Sequence, residues 1–252
     1  MKEVLAIVLM AMAAGSAAAM TVDEAKAFMT ESRTRFLSAK SYCFEYTQTA
    51  MGIPTESRCW MRRDAKKGVS VLNESQTKPF GVPMPKMTQL ATGGKVYLIS
   101  ALAPDKALHL SFADGQVQDD VFCNFFTENG TVEPVSDTKD RCVIKFTPSA
   151  AELVLMGKQA ASSAGVMPGL ANAVPTSFRY TFLKPSKDIS EIVGLDEKGG
   201  EALKVSVTRL ELNAKVEDAY FALPKGCKVV DLKDAAEAVK SLVGGKLMLK
   251  RK

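Results

Sequence analysis

Apolar and polar residues alternate with two different periods along the chain, and the first period predicts a helix. Apolar side chains such as Phe28, Met29 and Phe36 recur at three- and four-residue intervals between residues 22 and 39, which is the spacing of one helical face. Thr21 and Glu24 precede this run at the spacing of a capping box, a pairing that closes the first turn of a helix. We therefore expect an amphipathic helix at residues 22–39.

From residue 42 onward the apolar positions alternate, as they do in strands with one buried face. Glycine pairs at 93–94 and 199–200 form turns between the runs, and strands do not alternate with helices. This order predicts an antiparallel sheet and excludes a doubly wound fold. The predicted strands are residues 42–47, 59–63, 69–72, 95–102, 108–112, 121–126, 142–146, 178–182, 189–195, 202–212 and 219–223, with a loop at 78–86 and a terminal helix at 234–243.

Residues 148–175 depart from this pattern, because they are rich in Ala, Ser, Gly and Met and carry few charges. Ser149 and Glu152 again have capping-box spacing, which predicts that a short helix begins here. Methionine fills irregular space and adapts to varied ligands. The segment is therefore either a core-packing helix with a loose loop or a movable apolar lid over a cavity.

The first twenty residues have the three parts of a secretory signal peptide. Lys2 lies in a short polar start, residues 4–14 form an apolar run, and Ala17 and Ala19 follow at the spacing of a peptidase site. The run is shorter than the roughly 20 residues that cross a bilayer. We predict cleavage near Ala19 (signal peptide 1–19) and a single mature domain, residues 20–252, outside the cytoplasm.

Five cysteines in an exported chain suggest disulfide bonds, since oxidising compartments preserve them. If the strands around Met51 form a hairpin centred on that residue, Cys43 and Cys59 lie directly opposite each other, within disulfide range. Cys123 and Cys142 flank the turn-rich segment 127–139 in the same way. These two pairs are hypotheses, and they leave Cys227 as the unpaired cysteine. The alternative is that all five cysteines are reduced, buried thiols.

Composition and charge describe a globular protein that does not bind nucleic acid. Hydrophobic residues make up 46% of the chain, and the net charge of +5 comes without an arginine-rich helix. His109 is the single histidine, so a multi-histidine metal site is excluded. No Gly-x-Ser-x-Gly elbow, Cys-x-x-Cys pair or phosphate-binding glycine loop occurs. The sequence favours binding over catalysis, with no cofactor and no metal, and an enzyme with dispersed carboxylates is the weaker alternative.

Two segments resemble the LolA/LolB-like periplasmic carriers of outer-membrane lipoproteins. Residues 216–231 place an acidic residue before an aromatic, then Leu223-Pro224, a turn at Gly226 and a valine-rich end, which is similar to the closing pattern of the family. The Gly93-Gly94 turn and the strand after it are similar to the family's turn that begins one wall of the sheet. The resemblance implies an α+β fold, in which a curved antiparallel sheet forms an open (unclosed) β-barrel with helices covering its concave face.

The resemblance further implies a non-catalytic periplasmic carrier, a monomer, that binds lipoprotein acyl chains or another lipid such as phospholipid for transfer to the outer membrane. The implied partners are an inner-membrane releasing complex and an outer-membrane acceptor. An envelope-stress sensor or protein-binding module on the same fold is the alternative function. Because the apolar face of each strand points inward, we expect the cavity to be lined by Tyr42, Phe44, Tyr46, Val96, Leu98, Leu108, Leu110, Phe112, Phe178, Tyr180 and Phe182, and covered by Leu155, Met156 and Met167.

Overall fold

A computed structural model of the protein describes residues 20–65, 68–110, 129–156 and 175–232. The predicted signal peptide, the predicted strand 121–126, the predicted helix 234–243 and most of segment 148–175 lie outside these ranges, as do Cys123, Phe112 and Met167. In the described part of the chain, no helix has both the length and the apolar character needed to span a bilayer.

The first helix, α1, spans Val22–Ser38, so the helix predicted from the sequence is confirmed. Its capping box is present: the Thr21 hydroxyl accepts a hydrogen bond from the Glu24 N–H at 3.2 Å, and the Glu24 carboxylate accepts one from the Thr21 N–H at 2.7 Å. A second helical stretch at residues 150–156 follows Ser149, whose hydroxyl accepts a hydrogen bond from the Glu152 N–H at 3.3 Å. Both capping signals therefore mark helix starts.

Twelve strands in the described ranges form one sheet. They are β1 (Ser41–Ala50), β2 (Ile53–Asp64), β3 (Gly68–Thr77), β4 (Met87–Thr92), β5 (Lys95–Ser100), β6 (Lys106–Leu110), β7 (Gly130–Asp137), β8 (Arg141–Pro148), β9 (Ser177–Leu183), β10 (Asp188–Leu195), β11 (Glu201–Leu212) and β12 (Lys228–Leu232). Their order is β12-β6-β5-β4-β3-β2-β1-β11-β10-β9-β8-β7, and only the β12–β6 pair is parallel. The sheet is curved and unclosed, which confirms the predicted fold class.

Two predicted elements are wrong. The turn-rich segment 127–139 contains strand β7, which tolerates Pro134 and a bulge after it because β7 lies at the edge of the described sheet. The predicted strand 219–223 is a turn of 3-10 helix at Asp218–Phe221. This segment buries one side chain, Phe221, against the sheet, so it needs no strand alternation.

The strand register divides the side chains between two faces of the sheet. One face, called here the helix face, carries Tyr42, Phe44 and Phe182 and packs against α1. The opposite face, called the back face, carries a smaller cluster around Leu90 and Tyr97 beneath the 3-10 turn. The main hydrophobic core therefore lies between α1 and the sheet.

The predicted Cys43–Cys59 disulfide is wrong because the hairpin is shifted by one residue. Met51 and Gly52 form a two-residue turn with positive φ angles of 51° and 75°, and Cys43 therefore pairs with Trp60 while Cys59 pairs with Phe44. A shift of one residue places side chains on opposite faces of a sheet. Of the second predicted pair, Cys142 is a free, buried thiol, and its proposed partner lies outside the described residues.

Candidate functional site

The described strand residues of the predicted cavity all lie on the helix face. The aromatic side chains Tyr42, Phe44, Phe178, Tyr180 and Phe182 are buried there, as are Val96 and Leu108, while Tyr46 and Leu98 are half-buried. Leu110 pairs with Val96 and Leu232 in the sheet. The structure therefore brings together residues that are distant in the sequence, and it does so on one continuous apolar surface.

The aromatic rings of this surface pack against one another and against α1. Along β9, the centroid of the Tyr180 ring lies 6.1 Å from the centroid of the Phe178 ring and 6.1 Å from that of the Phe182 ring. From α1, Phe28 meets Phe182 edge-on at 5.4 Å and Phe36 meets Tyr42 at 4.8 Å. Burial raises the pKa of Tyr180 well above its usual range, so its phenol stays neutral. The surface therefore offers apolar contacts and no charge.

A few polar links attach α1 to the turn between β9 and β10. The Ser32 hydroxyl donates to the Lys187 carbonyl at 2.7 Å, and Arg35 Nη1 lies 3.3 Å from Asp188 Oδ1. The Lys187 ammonium pairs with Glu31 and lies 5.8 Å from the centre of the Phe28 ring. Partly exposed ion pairs of this kind contribute about 0–1 kcal/mol each. These polar contacts therefore define where α1 lies on the sheet, but they contribute little free energy to its attachment.

The residues predicted to cover the cavity are only partly described. Leu155 is 53% exposed, whereas Met156 packs against the core cluster of the helix face. The two side chains leave the same short helix in different directions, and Met156 is the one that contacts the predicted lining.

An exposed apolar surface at one end of the sheet was missed in the sequence. Phe80 is 102% exposed, and four further large apolar side chains at this end are 40–68% exposed. We call this set the apolar corner: Met51, Ile53, Phe80, Val82 and Met84. The signal was present in the loop 78–86, where apolar residues are interspersed with prolines.

The apolar corner is held in place by backbone hydrogen bonds. The Lys78 N–H donates to the Pro54 carbonyl at 2.9 Å, and the Met84 N–H donates to the Thr77 carbonyl at 2.8 Å. Phe80 has a φ of +52°, a conformation that costs a non-glycine residue energy. The loop therefore presents Phe80 to solvent in a defined position between Lys78 and Lys86.

No site for metal chemistry is present in the part of the chain that the structure describes. Across residues 20–65, 68–110, 129–156 and 175–232, no three His, Cys, Asp or Glu side chains form a group that could hold a metal ion. His109 instead lies with its Nδ1 atom 2.7 Å from Asp231 Oδ1, which links β6 to its parallel neighbour β12.

No family model and no curated protein matches this chain. Among solved structures, it is similar to LprF from Mycobacterium bovis, with 10% identity, coverage of 83% of this chain and 100% of that chain, and a TM-score of 0.48. It is also similar to the Pseudomonas aeruginosa MucA/MucB complex structure, with 14% identity, 81% and 64% coverage and a TM-score of 0.46. A third similar structure is a domain assigned to an outer membrane lipoprotein-sorting protein from Vibrio parahaemolyticus, with 10% identity, 80% and 97% coverage and a TM-score of 0.34.

Proposed function

We propose that this protein is an exported, non-catalytic carrier that binds the acyl chains of lipoproteins or of another lipid on the helix face and transfers them at a membrane. The observation that carries the proposal is the continuous apolar surface of β1, β8 and β9, against which the 17-residue helix α1 packs. The proposed lining is the set predicted from the sequence, including Phe44, Tyr180 and Phe182, with Met156 beside it.

Acyl chains reach this surface when α1 moves away from the sheet. The helix contributes few large apolar side chains, chiefly Phe28, Met29 and Phe36. A bound acyl chain replaces these contacts with contacts of the same apolar kind, and each buried methylene contributes about 0.8 kcal/mol. The acyl chain therefore keeps the sheet side of this surface out of water. The cost of the exchange lies in the polar links around Ser32 and Arg35 and in exposing the apolar side of α1.

The apolar corner supports contact with a lipid surface. Apolar side chains that protrude into the headgroup region gain from burial there, and neighbouring lysines are attracted to anionic lipids. Phe80, Val82 and Met84 protrude between Lys78 and Lys86, which matches the first requirement. The two lysines pair with Glu56 and Glu74, which partly offsets their attraction to anionic lipids. The corner gives the carrier a defined place to meet the membrane that receives its cargo.

Weakening the links of α1 should increase affinity for acyl chains. If the closed helix competes with the ligand, the apparent affinity scales with the fraction of molecules in which the helix is open. We expect the double variant Ser32→Ala/Arg35→Ala to bind a synthetic dipalmitoylated peptide about 5- to 50-fold more tightly than the unmodified protein, as measured by native mass spectrometry.

The control for this experiment is Arg209→Ala, which removes an ion pair with Glu211 on β11 that does not involve α1. Its affinity for the peptide should equal that of the unmodified protein. The carrier proposal fails if a folded double variant shows no adduct of the peptide mass at any concentration tested.

A protein-binding module is the second candidate function, because an exposed apolar patch also fits a protein partner. The two functions differ in the expected behaviour of Phe80→Ser. For a carrier, the unmodified protein should co-sediment with vesicles of phosphatidylethanolamine and phosphatidylglycerol, and Phe80→Ser should lose about tenfold in partitioning.

Val135→Ser is the matched control for Phe80→Ser, because Val135 is an exposed apolar residue on β7 outside the corner. It should leave partitioning unchanged. If the unmodified protein does not partition to vesicles, the corner serves a protein partner and the second candidate replaces the first.

A further inference from the structure

The back face carries a groove that lies on the side of the sheet opposite α1. A cavity of about 400 Å³ lies between strands β3–β5 and the segment 219–224. Leu72, Leu90 and Ile99 form its floor on the sheet, and Tyr220, Ala222 and Pro224 form its outer wall. This volume is at the lower end of the range of small-molecule sites, about 300–1,000 Å³.

The outer wall is fixed to the sheet by its own contacts. Phe221 is buried, and the Arg62 guanidinium lies 5.0 Å above its ring. The same Arg62 forms an ion pair with Asp218 at the start of the wall. Tyr220, the residue before Phe221, stacks on Trp60 of strand β2 with ring centroids 5.1 Å apart. The groove is therefore preformed, with no need for a loop to close over a ligand.

The groove ends at a loose ion pair. Lys86 Nζ lies 3.5 Å from Glu74 Oε2, and both residues line the groove. The same two residues also line a second depression of about 430 Å³, whose other charged side chains are Glu45, Glu56 and Arg58. An apolar slot thus continues into a region where positive and negative side chains lie next to each other.

We infer that this groove binds a single-chain amphiphile with a zwitterionic head, such as a lysophospholipid. The acyl chain occupies the slot between Leu90 and Tyr220, the phosphate binds Lys86, and the ammonium group of the head binds Glu74, since Glu56 already pairs with Lys78. The Glu74–Lys86 pair is long and partly exposed, so it contributes little free energy, and each of its side chains can bind the opposite charge of a ligand head instead. A zwitterionic head gives each charged side chain a partner of opposite sign.

The groove is separate from the proposed acyl-chain surface, because the groove and the helix face lie on opposite sides of the sheet. Lys86 is the residue that the groove shares with the flank of the apolar corner. Trp60, the single tryptophan of the chain, reports on the groove. It pairs with Leu72 in the sheet and stacks on Tyr220, and both of these residues line the groove. A ligand in the slot therefore changes the surroundings of this fluorophore.

The experiment titrates the protein with 1-lauroyl-lysophosphatidylethanolamine below its micelle concentration and follows Trp60 emission. We expect a saturable change, and about tenfold weaker binding of both 1-lauroylglycerol and dodecanoate, since each lacks one or both head charges. Lys86→Ala should remove the preference over 1-lauroylglycerol. Equal binding of all three ligands, or no saturable change, would overturn the inference.

Filling the slot gives the structural control. Ala222 is exposed and lines the groove, so Ala222→Phe should fold normally and abolish the Trp60 response. Lys225→Phe places the same side chain on the same segment outside the lining and should leave the response intact. Ser32→Ala/Arg35→Ala should also leave it intact. A response that persists in Ala222→Phe contradicts the site, whatever the outcome for acyl peptides on the helix face.

Discussion

Burial keeps the ionisable side chains of the main core in their neutral forms. Tyr180 and Cys142 lie on the helix face with almost no exposed surface. Burial, and secondly the Asp137 carboxylate, raises the pKa of the Cys142 thiol to about 11, above its ordinary value of about 8.5. Neither of these two side chains is therefore charged in the neutral range.

The raised pKa of Cys142 predicts a loss of stability at alkaline pH. The folded state holds the thiol proton more tightly than the unfolded state, so this contribution is complete below about pH 8.5 and is lost as the pH rises to about 11. We expect the free energy of unfolding of Cys142→Ala to fall less over this interval than that of the unmodified protein, by about 1–2 kcal/mol.

The measurement is urea unfolding at pH 8, 9.5 and 11. Cys227→Ala serves as a control, since the Cys227 thiol is only half-buried, and it should change the pH dependence less. Parallel pH profiles for Cys142→Ala and the unmodified protein would contradict the assignment.

Residue positions within a hairpin depend on the turn, and this limits what the sequence predicts. The strands on either side of Met51 were recognised, but the turn is centred between Met51 and Gly52, so Ala50 pairs with Ile53. That half-residue difference in the centre moves Cys59 to the helix face beside Phe44. The alternation of apolar residues predicted the strands but did not determine their register.

At the scale of elements, α1 combines a capped start with an attachment that is mainly apolar and has a weak electrostatic part. Its capping box satisfies two backbone groups of the first turn, while its contact with the sheet depends on a few aromatic side chains and partly exposed ion pairs. This combination lets the helix leave the sheet with its first turn capped, while the rest of the helix, without tertiary contacts, opens more easily to solvent. The free energy of forming α1 and the free energy of packing α1 against the sheet are then separate quantities.

Removing the cap should reduce stability without touching the sheet. We expect Thr21→Ala to lower the free energy of unfolding by about 1 kcal/mol, because the Glu24 N–H loses its acceptor. Urea unfolding followed by circular dichroism measures this change. Thr34→Ala in the same helix removes only an exposed hydroxyl that donates to the Thr30 carbonyl, and should change stability by less than about 0.5 kcal/mol. Equal effects of both substitutions would show that the cap contributes nothing.

Elements with a strong local signal were predictable, and elements selected by tertiary contacts were not. Helix α1 and strands such as β9 follow from their periodicity. Strand β7 contains Pro134, Ser136 and Asp137, residues that usually mark turns, and its pairing with β8 supplies the structure. The 3-10 turn at Asp218–Phe221 depends on Arg62 of a distant strand, which no local pattern reveals.

At the scale of the whole molecule, two long-range pairings create the candidate site. Strand β11 pairs with β1, and this joins the N-terminal and C-terminal halves into one sheet. Strand β12 adds to the far edge in parallel with β6. Neither pairing follows from turn signals, which specify consecutive hairpins alone. The predicted lining residues nevertheless share one face, because strand alternation decides the face even where the strand order is unknown.

The two surfaces of the sheet have different roles in this interpretation. In the proposed function, the helix face holds acyl chains that reach it when α1 moves, and the apolar corner around Phe80 directs the molecule to a membrane. The back-face groove near Trp60 is a separate, preformed site. Movement of α1 is the step on which the carrier function depends.

Hydrogen–deuterium exchange with and without the dipalmitoylated peptide tests that step. Amides of α1 are protected while the helix packs on the sheet, and opening exposes them. We predict that the bound peptide increases exchange at residues 22–38, while β9 and β11 keep or gain protection. Binding of the peptide with unchanged exchange in α1 and new protection elsewhere would show that the acyl chains do not occupy the helix face.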